Sequence, residues 1–461
     1  MSRNTRCYRM LCLVCLFVVP MSLWLGCATT KLAGPYTVPT QLNFGSVPPG
    51  ADNTLHFIVY NPDSLAVDLK LRSSRPFEVV GSNQALHLEP KSAVTIPIRF
   101  HSDGSKSQNG SVSLGIAGLK VACRANQPGQ SQPTRSKLLQ PFSSRSIWNM
   151  PLGDGAQYKA AGFKATIWLD KDDDYFLYDG RTQPLYAAKH WWPDICDGQE
   201  YLRDVFVPDD LVTPANYPGN NSAGFLLGDG RTLAQANPIS RCQAGDPVYC
   251  GWPTDPDTVD IYGDGRTGGH GGSGLSSNGG TIRPGELTGS QPIRHVLKLN
   301  VQAEYYCSEL HGGFRWPAWR ADGYALETDV KNPNYAHRYN AHGTAVPGVG
   351  MGALVALPPW INIDMLGLQT EPAKKLARTL QDYGAYIADD TYYPTVAFAL
   401  EKGAVEEFEA CYEFKFTCNT GPWHDDMMLI YEKLCVVDNN SPTSVGGGGN
   451  PRQPLAPPIG D

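Results

Sequence analysis

The segment GGHGGSGLSSNGGTIRPGELTGSQPIRHVLKLNV, from Gly268 to Val301, joins a glycine-rich loop to an alternating run of apolar and polar residues. Side chains of a β-strand point alternately to its two faces. The run therefore predicts a strand with two distinct faces, one carrying Ile293, His295, Leu297 and Leu299 and the other Arg294, Lys298 and Asn300. Glycine also allows a ligand or another chain segment to approach the backbone closely. We expect this stretch to form one wall of a functional site in a β-rich domain.

Five ionisable side chains are the candidate catalytic residues. If the protein is an enzyme that acts on polysaccharide, either His295 or Asp389 would act as the base and Glu286 as the acid. Arg283 and His270 would then orient an anionic sugar. For two of these residues, a purely structural role remains an alternative. The pattern around His295 favours a core histidine slightly over a catalytic one, and the Asp389 carboxylate is equally compatible with a turn or helix cap.

Two familiar glycine-rich motifs are absent from the segment. The HGGG-type oxyanion loop of esterases is accompanied by a Gly-x-Ser-x-Gly nucleophile elbow. The nearest candidate, Gly271–Leu275, has Leu where the last Gly is required. No Gly-Lys-Ser/Thr follows the glycines, which excludes a P-loop.

The composition favours a mainly β protein with two or three domains. Among 461 residues there are 48 Gly and 37 Pro, and only 18% of residues are charged. A net charge of -7 gives no basic footprint, which argues against nucleic acid as a partner. The 22 Tyr and 10 Trp suit both sugar-stacking surfaces and sheet packing.

The N-terminal residues 1–26 have the organisation of an export signal. Three arginines precede an apolar run from Met10 to Leu25, and Leu25-Gly26-Cys27 follows. This ending resembles the bacterial lipobox, although Trp24 replaces the usual aliphatic residue. The resemblance implies lipidation at Cys27 and, with Ala28 next, an outer-membrane lipoprotein in the cell envelope. An ordinary secretory signal is the alternative.

Eight cysteines remain after this segment, and an even number in an exported protein predicts disulfides. The pairs Cys242/Cys250 and Cys411/Cys418 are close enough in sequence for short loops, but the connectivity cannot be derived.

Residues 36–123 predict an immunoglobulin-like β-sandwich. Short alternating runs such as Leu55–Val59 and Val94–Ile98 are separated by turn clusters. The motifs LNFGSVPPG, YNPDS and LEPKSAVTIPIRF resemble the ASH/hydin-like domains of bacterial surface proteins, and the resemblance implies a non-catalytic spacer or interaction module. Residues 124–137 are expected to form a mobile linker, and 436–461 a Gly/Pro-rich tail that is loosely held at its end.

Residues 138–435 should form a larger β-rich domain of sandwich or jelly-roll type with a few helices. The clearest helix has Thr370 as N-cap and Gly384 as its stop, and two shorter helices are expected at Ala404–Tyr412 and Asp425–Lys433. The acidic run Asp170–Asp174 favours a solvated turn over a calcium loop, because Gly and Glu are missing where an EF-hand needs them. A second candidate calcium cluster comprises Asp255, Asp257, Asp260 and Asp264.

His337 and His342 are candidate metal ligands, but no further ligand has a fixed spacing. Two histidines at this spacing are more often ordinary loop residues than metal ligands.

The motifs HGGSGLSSNGGTIRPGEL…IRHVLKLNV, MGALVALPP and TEPAKKLARTLQDYGAYIADD resemble a group of uncharacterised secreted microbial proteins. The likeness spans about residues 144–451, with Val296 where the others have Ala. It implies that the three segments belong to one domain, and it transfers no activity.

The sequence thus supports three functions. The first is an exported enzyme acting on polysaccharide, as a glycoside hydrolase or lyase. The second is a non-catalytic surface protein that binds glycan, with calcium in its acidic loops. The third and weakest is a metal-dependent hydrolase using His337 and His342.

Overall fold

The structure, a computed structural model, describes residues 34–81, 85–189, 196–213 and 219–461, and within these the side chains of 252–257 are left out. Cys27 and the predicted export signal, residues 1–26, lie outside the described residues, as do the side chains of Asp255 and Asp257. Residues 34–461 form one compact unit.

The first part of the chain is a two-sheet sandwich, as predicted from its alternating runs. One sheet has the order β1-β3-β8, with β6 also on β8, the other has the order β2-β10-β9-β5, and β4 pairs with β7. Phenylalanines 44, 57, 77 and 100 fill the space between the sheets. The strands are β1 (Tyr36–Val38), β2 (Gln41–Asn43), β3 (Asp52–Asn61), β4 (Val67–Lys70), β5 (Arg72–Ser73), β6 (Phe77–Val79), β7 (Ala85–Leu88), β8 (Ser92–His101), β9 (Gln108–Ser113) and β10 (Lys120–Ala125).

The remainder of the chain adds thirteen strands and four α-helices among the described residues. The strands are β11 (Tyr158–Ala160), β12 (Trp168–Leu177), β13 (Gly180–Ala187), β14 (Glu200–Val207), β15 (Ser222–Leu226), β16 (Thr232–Ser240), β17 (Val248–Asp260), β18 (Thr267–His270), β19 (Leu297–Val301), β20 (Leu354–Ala356), β21 (Ala385–Asp390), β22 (Thr395–Glu401) and β23 (Cys435–Val437). The helices are α1 (Ala303–Tyr306), α2 (Glu371–Asp382), α3 (Ala404–Tyr412) and α4 (Pro422–Glu432).

One long mixed sheet dominates this part, which confirms the mainly β fold class. From β13 it runs β17-β16-β15-β12-β22-β19-β21-β20-β23-β11, and β13 also pairs with β8 of the sandwich. The pairs β12/β15, β12/β22 and β19/β21 are parallel. Strands of this kind are covered on both faces. Polar residues within them are therefore buried and need partners inside the protein.

The prediction of a solvated turn at Asp170–Asp174 is wrong. The acidic run lies inside β12, a central strand, and Asp172, Asp173 and Asp174 are buried. Burial is tolerated because neighbouring side chains supply cations and N–H donors, described below.

The linker and the tail also differ from expectation, since both are packed. The Arg135 N–H donates to the Pro458 carbonyl, and the Gly460 N–H donates to that of Arg135. The buried carboxylate of Asp461 accepts hydrogen bonds from the backbone N–H groups of His56 and Lys137. The end of the tail is therefore fixed against the sandwich, and the expectation of a loose end is wrong.

The cysteine pairing differs from both predicted short loops. Cys196 and Cys242 form a disulfide. Cys250 is buried within β17, while Cys411 and Cys418 are free thiols. Cys250 lies opposite Ile239 in the sheet, so its side chain serves as an apolar core residue.

The helix predictions are confirmed. Helix α2 begins directly after Thr370, and Gly384, with φ of 78°, lies just beyond its end. Helix α3 has the predicted bounds, and α4 begins three residues before the expected Asp425. Among the described residues, no helix has the length and apolar character needed to cross a bilayer.

Candidate active site

A buried polar cluster lies where β12, β18, β19 and β21 approach one another. Asp172 and Asp174 are two apart on β12, and Lys298 and Asn300 are two apart on β19, so each pair shares a strand face. We call the cluster the Asp172–Asp389 site. It comprises Asp172, Asp174, Asn220, His270, Lys298, Asn300, Asp322 and Asp389.

A fully buried ion pair forms the base of the site. The Lys298 Nζ lies 2.7 Å from Asp174 Oδ2 and donates to the carbonyls of Ser276 and Ser277 at 3.0 and 2.9 Å. His270 Nδ1 is 3.2 Å from the other carboxylate oxygen. Burial opposes ionisation of Asp174, yet Lys298 and His270 hold its pKa below the ordinary value. The pair therefore keeps Asp174 ionised beside a neutralising ammonium group at the base of the site.

Asp172 accepts hydrogen bonds from the N–H groups of two asparagines. The backbone N–H and Nδ2 of Asn220 lie 2.9 and 3.0 Å from its two oxygens, and Asn300 Nδ2 lies 2.8 Å away. His270 Nε2 is 3.4 Å from Oδ2. Three N–H donors therefore converge on the Asp172 side chain.

Asp389 lies beside Asp172 in a contrasting environment. Asn220 Nδ2 donates to Asp389 as well as to Asp172, and the Gly272 N–H donates to Asp389 Oδ1 at 2.6 Å. Burial, followed by repulsion from Asp322 and Asp172, raises the pKa of Asp389 well above its ordinary value. The two carboxyl groups thus share one amide donor but differ in their surroundings.

The glycine-rich loop makes this approach possible. A Cβ on Gly271, which has φ of 49°, would lie 2.1 Å from Asp389 Cγ, and a Cβ on Gly272 would lie 2.3 Å from Asp322 Oδ2. Only glycine leaves room for both carboxylates against the loop.

Asp322 is a third carboxyl group, on the partly exposed side of the site. Tyr339 donates its hydroxyl proton to Asp322 Oδ2 at 2.5 Å. Burial, followed by repulsion from Asp390, raises the pKa of Asp322 to about 7. Asp322 is partly exposed, as are Asn220 and Gly271 beside it.

Aromatic side chains lie close to this side. Tyr324 donates to Asp390 at 2.8 Å, and its ring meets that of Tyr392 edge-on at 6.0 Å. Tyr392 in turn stacks on His337 at 3.7 Å. Tyr392 is exposed, and an exposed ring beside carboxyl groups suits a sugar ligand, which offers apolar ring faces and hydroxyl groups.

The structure brings together two of the five candidate catalytic residues, His270 and Asp389. The other three form a separate cluster, in which His295 Nε2 lies 3.0 Å from both Glu286 oxygens and Arg283 Nη1 lies 2.6 Å from Glu401. His295 precedes β19, so the expected strand begins later than its alternation indicated. Although burial opposes it, His295 holds the pKa of Glu286 below the ordinary value. That environment suits a buried ion pair better than a proton donor.

The two candidate metal ligands converge on one carboxylate. His337 Nδ1 and His342 Nε2 lie 3.4 and 3.9 Å from Glu304 Oε2, and His342 stacks on Tyr305 at 3.9 Å. Within the described ranges, no three His, Cys, Asp or Glu side chains are arranged to hold a metal ion. In the second acidic cluster, Asp260 pairs with Arg231.

Sequence reasoning missed six members of the site. Lys298 and Asn300 were placed on the face opposite His295, and Asp172 and Asp174 were assigned to a turn. The available signal was the apolar flank Tyr175-Phe176-Leu177, which continues the strand through the acidic run. Asn220 and Asp322 come from loops, where periodicity gives no information.

Comparison with known proteins gives no family for this chain: no family model matches it, and neither does any curated protein. Distant structural neighbours include ASH/PapD-like and MSP domains. The ASH/PapD-like domain 7 of human CEP192 shares 14% identity, with 26% of this chain and 99% of that chain covered, at a TM-score of 0.17. SSP-19 of Caenorhabditis elegans, an MSP-domain protein like family member, shares 10% identity over 20% and 97% of the two chains, at a TM-score of 0.16. A FixG-related protein from Vibrio parahaemolyticus shares 14% identity over 21% and 95%, also at 0.16. At such TM-scores these likenesses carry no functional argument.

Proposed function

We propose that this protein hydrolyses glycosidic bonds in a polysaccharide at the Asp172–Asp389 site. One observation carries the proposal: Asp172 and Asp389 share the Nδ2 donor of Asn220 but have opposite environments. Asp172 receives three N–H donors, whereas the pKa of Asp389 is raised. Glycoside hydrolysis requires two carboxyl groups close together in contrasting environments, so that one can serve as the acid and the other as the nucleophile or base.

The geometry favours a double displacement. Two hydrogen bonds to one nitrogen place the carboxylate oxygens within about 6 Å of each other. Retaining enzymes hold their two carboxyl groups about 5–5.5 Å apart, whereas inverting enzymes need a wider gap for water. Asp172 is accordingly assigned as the nucleophile and Asp389 as the acid.

In the first step, Asp172 forms a bond to the anomeric carbon while the bond to the leaving oxygen breaks. Asp389 gives its proton to that oxygen. In the second step, Asp389 removes a proton from water, which attacks the anomeric carbon and releases Asp172. The Asp389 carboxyl group ends protonated again, so the cycle closes without another reactant.

This assignment revises the sequence-based roles. Asp389 acts first as an acid and only then as a base, and Glu286 is not used because His295 holds it in an ion pair. His270 lies between Asp172 and Asp174, where it orients the nucleophile instead of touching an anionic sugar.

The proposal includes export and lipid attachment at Cys27. It rests on the three arginines, the apolar run and Leu25-Gly26-Cys27 in the sequence. Metabolic labelling of cells with radioactive palmitate checks it. Label should appear in the wild-type protein and be lost from Cys27→Ala, and label retained in that variant would contradict the lipid anchor.

A panel of polysaccharides tests the reaction. The soluble protein from Gly34 onward is incubated with neutral and acidic polysaccharides, with and without a chelator, and new reducing ends are measured. We expect reducing ends without absorbance from unsaturated uronates. Unsaturated products would establish a lyase instead, and loss of product with chelator would support the metal-dependent alternative.

A non-catalytic glycan-binding protein is the second candidate, favoured by the ring pairs His337/Tyr392 and Tyr305/His342 near the site. Retention on a glycan column with no product from any polysaccharide would establish that function and remove the hydrolase.

A further inference from the structure

A cleft lies outside the Asp172–Asp389 site. Its volume is about 390 Å³, within the range of sites for small molecules. One part of its lining is apolar, with Leu310, Phe314 and Val349, and another part carries Lys159, His311, Arg315 and Asp438. We call it the Arg315 cleft.

Arg315 is fixed in place before any ligand binds. Its Nη1 donates to the Gly348 carbonyl at 3.1 Å and its Nη2 to the Asp438 carbonyl at 2.6 Å. These bonds use two of the five N–H donors of a guanidinium group. A fixed, planar group with donors left over matches the two oxygens of a carboxylate.

Cationic groups outnumber acidic ones in the lining. Lys159 Nζ lies 2.5 Å from Asp438 Oδ2, and Arg315 Nη1 lies 3.6 Å from Oδ1 of the same carboxylate. One carboxylate therefore faces two cations in this lining. The net positive charge favours an anionic ligand.

Two residues that line the cleft, His311 and Gly348, have positive φ angles. His311 has φ of 57°, a left-handed conformation that is uncommon in residues other than glycine and is found at functional turns. Gly348 has φ of 97°, and a Cβ there would lie 3.4 Å from both Arg315 Nη1 and Asp438 Oδ1. Those distances are ordinary contacts, so the positive φ of Gly348 is what favours glycine at this position.

We infer that the Arg315 cleft binds an acidic sugar, with the carboxylate of a uronic acid on Arg315 and Lys159 and the sugar ring against Leu310 and Phe314. The choice of a sugar rests on the proposed function, whereas the preference for a carboxylate rests on the lining alone. The cleft would thereby select acidic polysaccharides and hold a uronate residue away from the bond that is cleaved.

Direct binding tests this inference without catalysis. Glucuronate, glucose and inorganic sulfate are each titrated into the protein and followed by saturation-transfer NMR and calorimetry. We expect glucuronate to bind and to be displaced by neither glucose nor sulfate at equal concentration. No binding of glucuronate, or equal competition by sulfate or glucose, would overturn the inference.

Variants locate the binding. Arg315→Gln and Lys159→Ala should each weaken glucuronate binding by about tenfold or more, because each removes a charged hydrogen-bond donor. Arg378→Gln, which breaks an exposed pair with Asp364, is the matched control and should bind as the wild type does. Lys159 is exposed, so its variant remains informative if Arg315→Gln does not fold.

Asp438→Asn gives the sharpest result. It removes the carboxylate that competes for both cations, so glucuronate should bind more tightly, and unchanged or weaker binding would contradict the inference. Asp389→Asn should leave binding intact. The turnover of Asp389→Asn tests the catalytic proposal, and its glucuronate binding tests the Arg315 cleft. The two proposals can therefore fail independently.

Discussion

At the scale of single residues, the pair of Lys298 and Asp174 is the strongest constraint on the site. Lys298→Met keeps the apolar stem but leaves Asp174 without its main counter-charge in a fully buried position. We expect a loss of about 3–5 kcal/mol in the free energy of unfolding, measured in urea at pH 7. Lys374→Met, which breaks an exposed pair with Glu371, should cost less than about 1 kcal/mol. Equal losses in the two variants would contradict the assignment.

Asp322 makes stability depend on pH. Its pKa is raised to about 7 in the folded protein, so between about pH 4 and 7 the folded state binds more protons than the unfolded state. The stability contribution of this group is present at low pH and is lost as pH rises through 7. In unfolding measurements from pH 4 to 8, Asp322→Asn should show a smaller decline than the wild type. An identical decline would rule out this group as the cause.

At the scale of elements, the glycine-rich loop decides whether the carboxylates can meet. Gly272→Ala would place its Cβ 2.3 Å from Asp322 Oδ2, so we expect a loss of roughly 1–3 kcal/mol and of turnover. Gly323→Ala is the matched control, because nothing lies within 4 Å of its added Cβ. Thermal melting and activity assays on both variants distinguish a crowded loop from a general intolerance of alanine.

The elements themselves were largely predictable, and the site was only partly so. Alternation located β3 and β8, and cap and stop residues located α2, because local sequence carries these signals. The acidic run in β12 was misassigned because its partner Lys298 is distant in the chain. Asn220 and Asp322 escaped because loop residues enter a site through tertiary packing, which no periodicity records.

At the scale of the whole molecule, the tail fixes the sandwich to the rest of the chain. Asp461→Ala removes the acceptor for the N–H groups of His56 and Lys137. We expect a loss of about 1–3 kcal/mol with a single unfolding transition retained. Asp68→Ala, whose side chain is exposed, should change little. Two separate transitions in the wild-type protein would show that the sandwich and the remainder do not unfold together.

The central claim is that the pair of Asp172 and Asp389 cleaves a glycosidic bond. Its most direct test is the rate of reducing-end release by Asp389→Asn, since asparagine matches the protonated acid in shape and should leave the melting temperature unchanged. The account predicts that the rate falls by about 10²–10⁴-fold, and that Asp68→Asn retains the wild-type rate. A folded Asp389→Asn protein that releases reducing ends at the wild-type rate would contradict it.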